Sequence, residues 1–337
     1  MKLILFFAIV LITNFCFIIF FNFFSKFYNL FDNPSEIRKK QKSPVSLFGG
    51  VIFLVNFSFF IYFDLFFQNS IFLELFGLSS NLKIFLFIFI FYIVFLIGYS
   101  DDKINLRPLT KIILISLCLF MIFNFNERFS LKTINSNILG KEIDLFFLGM
   151  IFSALCVLTF MNAMNMFDGI NLSSFLQYFC IALVLLIDPG LKNFGILLMF
   201  SLLIFGYLNF KNFTFLGDSG VYILSFISGL VLIKLYEKSN LYVEDILIII
   251  FLPMIDFFRL FFSRIISGKS PFLSDEDHFH HHLIKKYGYT KTVIYLSLII
   301  YLPVFLNYVF GYPALILLSM IVVYFILLKK IKLKFIK

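Results

Sequence analysis

The chain has 337 residues, 61% of them hydrophobic and 14% charged, with a net charge of +9. Soluble domains carry about a quarter charged residues, so this ratio leaves too little polar surface and excludes a water-soluble globule. Lipid is the expected solvent. A basic face on an anionic leaflet accounts for the positive charge, and no nucleic-acid partner is expected.

A helix needs about 20 apolar residues to cross the hydrocarbon core, and eleven stretches qualify. The first, 3–24, exceeds a signal-peptide core and lacks a small-x-small cleavage site, so it is expected to remain as a span. Residues 32–50, DNPSEIRKKQKSPVSLFGG, are basic and lead through Gly49 and Gly50 into the second span, 47–67. The segment 71–78 is too short to cross and is expected in the interface. The third span, 82–99, runs straight into Asp101 and Asp102, and Lys111 lies just inside the fourth, 109–126. The fifth, 144–161, ends in NAMNMFDGIN, residues 162–171. Spans six and seven cover 170–187 and 191–209, and NFTFLGDSG, residues 212–220, enters the eighth, 219–236. The ninth, 243–262, contains Pro253, which is expected to bend it and splay it outward to open a lipid groove. Before the last two spans, 292–310 and 312–328, comes RIISGKSPFLSDEDHFHHHL, residues 264–283. That stretch holds all four histidines of the chain, His278, His280, His281 and His282.

The pattern predicts an all-α polytopic membrane protein, one transmembrane domain over 1–337 with neither a soluble domain nor a repeat. The four cysteines sit in apolar runs without CxxC spacing and read as packing residues. Most of the 28 basic residues fall on one set of alternate connections and the tail. The positive-inside rule then puts the N-terminus outside and the C-terminus in the cytoplasm.

Each polar cluster falls on that same side. Adjacent Asp101 and Asp102 repel, so they keep a proton or attract a cation; a solvated acidic loop is the plainer alternative. Asn162 and Asn165 share a helix face, and their amides can read a uracil edge. Asp168 and Asp218 read equally as N-caps or as site residues, with Asp218 a carboxylate ligand for Mg²⁺. Flanking glycines at Asp218 would let a phosphate approach closely. The histidines have no cysteine nearby, and adjacent imidazoles do not readily close a zinc tetrahedron, so phosphate binding fits them better. Arg38 and Lys39 are a positive-inside anchor or a docking surface for an anionic lipid head group. The whole inventory suits phosphoryl transfer between a nucleotide diphosphate and a lipid phosphate. An ion-coupled transporter is the rival class, although its acids belong near the midplane rather than at span ends.

With these motifs the chain resembles the polyprenyl-phosphate N-acetylhexosamine-1-phosphate transferases. The resemblance rests on D-x-P…RK…P…GG, Asp101-Asp102 with Lys111, NAMNMFDG, GDSG and GKSPF…D…HFHHHL, in that order. It implies transfer of a sugar 1-phosphate from a UDP-sugar to undecaprenyl phosphate with release of UMP and a need for Mg²⁺, for which Mn²⁺ can substitute. It implies Asp218 as metal ligand, assisted by Asp102, and Asp101 and Asp102 as the acidic pair that handles the lipid phosphate. Asn162, Asn165 and Asp168 would line the nucleoside pocket. Lys111, Arg38, Lys39, His278, His280, His281 and His282 would contact substrate. GKSPF with His-x-His-His and Leu283 is similar to the GlcNAc branch, and the phospho-MurNAc-pentapeptide translocase is the nearer alternative. Gln41, Ser46 and Glu276 depart from the family pattern, and Glu276 bears on the sugar. A homodimer, a bacterial plasma-membrane location and a cytoplasm-facing site that starts a cell-envelope glycan such as O-antigen are further implications. Direct attack and a route through an aspartyl-phosphate both fit.

Overall fold

The apolar runs become helices because a backbone in lipid must satisfy its own N–H and C=O groups. The computed structural model describes residues 2–34, 43–67, 71–239, 241–271 and 277–332. In chain order the helices are α1 (Lys2–Ile19), α2 (Phe21–Tyr28), α3 (Gly49–Phe67), α4 (Ile71–Phe76), α5 (Asn81–Ile104) and α6 (Pro108–Phe125). They continue as α7 (Gly149–Phe167), α8 (Ser173–Ile187), α9 (Lys192–Phe210), α10 (Gly217–Lys238), α11 (Val243–Ile249) and α12 (Phe251–Ile266). The last are α13 (Phe279–Tyr287), α14 (Tyr289–Phe310) and α15 (Pro313–Lys332). Two small antiparallel strand pairs accompany them: β1 (Phe31–Asp32) with β2 (Val45–Ser46), and β3 (Thr133–Ser136) with β4 (Lys141–Asp144).

Among the described residues, nine helices are long and apolar enough to cross a membrane, and the bent pair α11–α12 makes a tenth. The eleventh expected crossing is α8, whose 15 residues extend about 22 Å at 1.5 Å per residue. It nevertheless joins both faces of the molecule. Leu172, just before it, donates its N–H to Asn209 at the end of α9, and Asp188, just after it, pairs with Lys238 at the far end of α10. Lys2, at the start of α1, and Lys332, at the end of α15, lie on opposite faces. Lys2 donates to the carbonyl of Phe67 on the face that also holds α4, while Lys332 pairs with Asp277 beside the histidine loop.

α10 is the axis of the bundle, with 94% of its apolar window buried. Its small residues Ser225, Ser228 and Gly229 let α5, α7 and α3 close around it, since lipid-embedded helices associate through tight packing rather than through exclusion of water. The abundant phenylalanine fills the spaces between helices. Phe57 stacks on Phe194 with centroids 5.7 Å apart, and Phe76 meets Phe87 at 4.6 Å. All four cysteines are free thiols within this packing.

The ninth span breaks as expected, by 88°. Pro253 has no N–H for the carbonyl of Ile249, and the helix gives way at Ile250. The orphaned carbonyl is not left bare. Gln177 of α8, fully buried, donates its Nε2–H to Ile249 O at 2.7 Å. The short segment at 71–78 is α4, which stays on one face and is capped by Asp64, whose carboxylate accepts the N–H groups of Ile71 and Phe72.

Candidate active site

Helices α5, α7 and α9 end at one face, and α6, α8 and α10 begin there. Asp101 and Asp102 occupy the last turn of α5. The first N–H groups of a helix have no intrahelical partner and carry partial positive charge. Asp102 supplies the missing acceptors for α10: its Oδ1 takes the N–H of Asp218 at 2.7 Å and its Oδ2 that of Ser219 at 3.0 Å. Gly217 makes this possible. Its φ of +72° is left-handed, and a Cβ there would lie 2.8 Å from Asp102 Oδ2. The glycines flanking Asp218 therefore admit neighbouring protein, as Gly220 also does by meeting Gly50 of α3 backbone to backbone. The expectation that they admit a phosphate gives way to this packing role.

Asp101 is buried and accepts from the N–H of Leu106 at 2.9 Å, from the Tyr222 hydroxyl at 3.4 Å, and from Lys111 as an ion pair. Lys111 Nζ also lies 3.6 Å from Asp218 Oδ2, so one ammonium bridges two carboxylates. Asn165 donates Nδ2–H to Asp218 Oδ1 at 2.7 Å. Three acids from two helices thus meet, with the lysine between Asp101 and Asp218 offsetting part of the repulsion and the amide of Asn165 on Asp218. Asp218 keeps an exposed edge, and the acids line a cleft of about 850 Å³.

The other expected residues distribute unequally around that cleft. Asn162 lines it and donates Nδ2–H back to Leu158 O at 2.8 Å. Asp168 lines it from the end of α7 and accepts from Ser174 Oγ at 2.7 Å. Burial pushes the Asp168 carboxyl up to about 7, and the charge of Asp102 adds to the effect. His278 and His281 line the cleft. His280 is fully buried against Phe167, with its ring where a Cβ on Gly169 would stand. Burial and the neighbouring His281 and His278 rings hold His280 well below the usual histidine range, so it is a neutral packing group. His282 turns aside to Asp277, with Nε2 and Oδ1 2.7 Å apart. Arg38, Lys39, Gln41 and Glu276 fall outside the described residues.

Other residues of the site were not assigned a role in the sequence, whether inside the quoted motifs, as Asn171 and Asn212 are, or outside them, as Asn209 is. Asn209 accepts the Leu172 N–H and donates to Thr214 O, and Asn171 donates to Asn209 O and Asn212 Oδ1, which ties the three loops at this rim together. Asp256 in α12 carried a usable signal, a carboxylate inside an apolar run. Phe257 of α12 adds an apolar wall.

Residues 82–236 match the family model of glycosyl transferase family 4, which takes in every acid of the cluster and stops short of the histidine loop. Over that segment the chain is similar to the polyprenyl-phosphate hexosamine-1-phosphate transferases. No curated protein matches the chain. The match supports a sugar-1-phosphate transferase acting on a polyprenyl phosphate, in a chain with the apolar helices of a multi-pass membrane protein, over the transporter alternative.

Proposed function

We propose that the enzyme takes a UDP-N-acetylhexosamine of the GlcNAc type, transfers its sugar 1-phosphate to undecaprenyl phosphate and releases UMP, at the cytoplasmic face of a bacterial plasma membrane. The observation that carries this reading is the Asp101–Lys111–Asp218–Asn165 cluster, opening on a cleft with polar amides on one wall and Phe257 on another.

An oxygen of the lipid phosphate attacks the sugar-bearing phosphorus. The new P–O bond forms as the bond to the UMP oxygen breaks. Chemistry of this kind asks the protein mainly to position groups and to offset charge. Lys111 does both for the acids, and with Asp101 it sets the polar edge against which the lipid phosphate lies. Asn162 sits one turn before Asn165 with its carbonyl free to accept from the base. His278 and His281 face the diphosphate from the opposite rim.

The donor set fits Mg²⁺. The ion usually takes one or two protein carboxylates and completes its shell with water and phosphate oxygens. Among the described residues no group of three His, Cys, Asp or Glu side chains is placed to hold a metal ion, so water and phosphate oxygens would supply the rest of the shell. Asp218 would hold it, and Asp102 has lone pairs left beyond its two backbone contacts. When bound, the metal would neutralise charge on the diphosphate and on the departing UMP.

The test is UMP release by purified protein with undecaprenyl phosphate, Mg²⁺ and a panel of UDP-sugars that includes UDP-MurNAc-pentapeptide. Turnover with a UDP-N-acetylhexosamine is expected. Turnover confined to the pentapeptide donor would overturn the sugar assignment.

A further inference from the structure

The histidine loop is held by groups outside the acid cluster. His278 precedes α13, is buried except where it lines the cleft, and has Nδ1 3.2 Å from Asp256 Oδ2. Asp256 sits within α12, where an isolated charge is costly. Its Oδ1 accepts the Tyr324 hydroxyl of α15 at 2.6 Å and two Arg259 donors, Nη2 at 2.7 Å and Nε at 3.1 Å. The Phe279 N–H also reaches the carboxylate, 3.2 Å from Oδ2. An ionised carboxylate only accepts. Nδ1 of His278 therefore carries a proton, and Nε2 is the nitrogen left for the cleft.

We propose that Asp256 is a positioning residue for His278, holding Nδ1 on its carboxylate so that Nε2 meets the diphosphate of the nucleotide sugar. The diphosphate rests on the transfer reading above; the ring orientation does not. Arg259 and Tyr324 pin Oδ1, which leaves Oδ2 aimed at the imidazole. A phosphate oxygen at Nε2 favours the imidazolium, and Asp256 stabilises that cation without releasing the ring. Asp256, Arg259 and Tyr324 all lie beyond the matched segment 82–236, so the C-terminal third of the chain aims a group at chemistry housed within that segment.

All the histidines of the chain lie between 278 and 282, so ¹⁵N-histidine labelling reports on this loop alone. Above the titration range of imidazole, wild-type His278 is expected as the Nδ1–H tautomer. In Asp256→Asn, Arg259 and Tyr324 keep the carbonyl oxygen on their side, and the amide NH₂ turns to His278. Nδ1 must then accept, and the proton moves to Nε2. Tyr324→Phe keeps the carboxylate and is expected to keep the tautomer. In the UMP assay, Asp256→Asn is expected to lower kcat/KM by about 10- to 100-fold, the usual range when a supporting partner is lost. Tyr324→Phe is expected to lose less than about tenfold. Identical His278 shifts in wild type and Asp256→Asn overturn the proposal, as does an unchanged kcat/KM. An Nε2–H tautomer in the wild type overturns it even if the variant does not fold. If the wild type releases no UMP from any donor, the transfer reading falls and the labelling experiment still decides the orientation.

Discussion

Both faces of this bundle bury carboxylates, and the two sets behave differently. On the face opposite the cleft, Glu244 accepts from Ser136 Oγ and the N–H groups of Asn137 and Ile138, which ties the β3–β4 hairpin to the start of α11. Asp188 holds Lys238 and the N–H groups of Gly190 and Leu191, and Asp64 caps α4. Each of these acids is held by its own set of donors and does not line the cleft. On the cleft face, Asp101, Asp102 and Asp218 crowd together and line open space, with Lys111 between Asp101 and Asp218 and Asp102 on the N–H of Asp218. A charge at a helix end is therefore no sign of function in itself. Crowding of like charges beside a cavity is the distinguishing mark, because the fold must tolerate repulsion there that it avoids elsewhere.

The largest expected contrast comes from Asp218→Asn. It should lower turnover by at least about 100-fold, as the loss of one preorganised charge in an active site does, with the melting temperature in detergent little changed. A loss below tenfold would remove Asp218 from the chemistry. Lys111→Met leaves Asp101 and Asp218 facing each other uncompensated. Breaking a buried pair costs about 3–5 kcal/mol, and since Lys111 is partly exposed, about half that is expected, as a lower melting temperature accompanied by lost activity.

Glu244→Gln on the other face should invert that pattern. It exchanges an acceptor for a donor against the hairpin N–H groups, with an expected cost of about 1–3 kcal/mol, while UMP release stays within about twofold of wild type because distant sites with no shared partners couple weakly. A larger activity loss would break the distinction between the two faces.

The smallest effect is a slope. The Asp168 carboxyl titrates near 7 when folded, against an ordinary value of 3.8. Between those values the folded protein keeps a proton that the unfolded chain has released, so Asp168 makes stability fall as pH rises. Melting temperatures across that window should decline in the wild type and decline less in Asp168→Asn.

Much of this was legible along the chain. Lipid as solvent, the crossing stretches, the Pro253 break and the grouping of polar motifs follow from apolar run length and from the position of one imino acid, properties a sequence carries locally. The sequence also marked Asp101, Asp102, Asn165 and Asp218, because a charged or amide group next to hydrocarbon stands out. It could not show that Asp102 would cap α10 rather than stand free, or that Gly217 exists to admit that carboxylate, since both depend on where α5 lies against α10. Nor could it divide four adjacent histidines into two that line the cleft, one buried ring and one turned to Asp277. Neighbours along a helix point in different directions, and only the packing of α13 against α12 and α15 decides which direction meets the site.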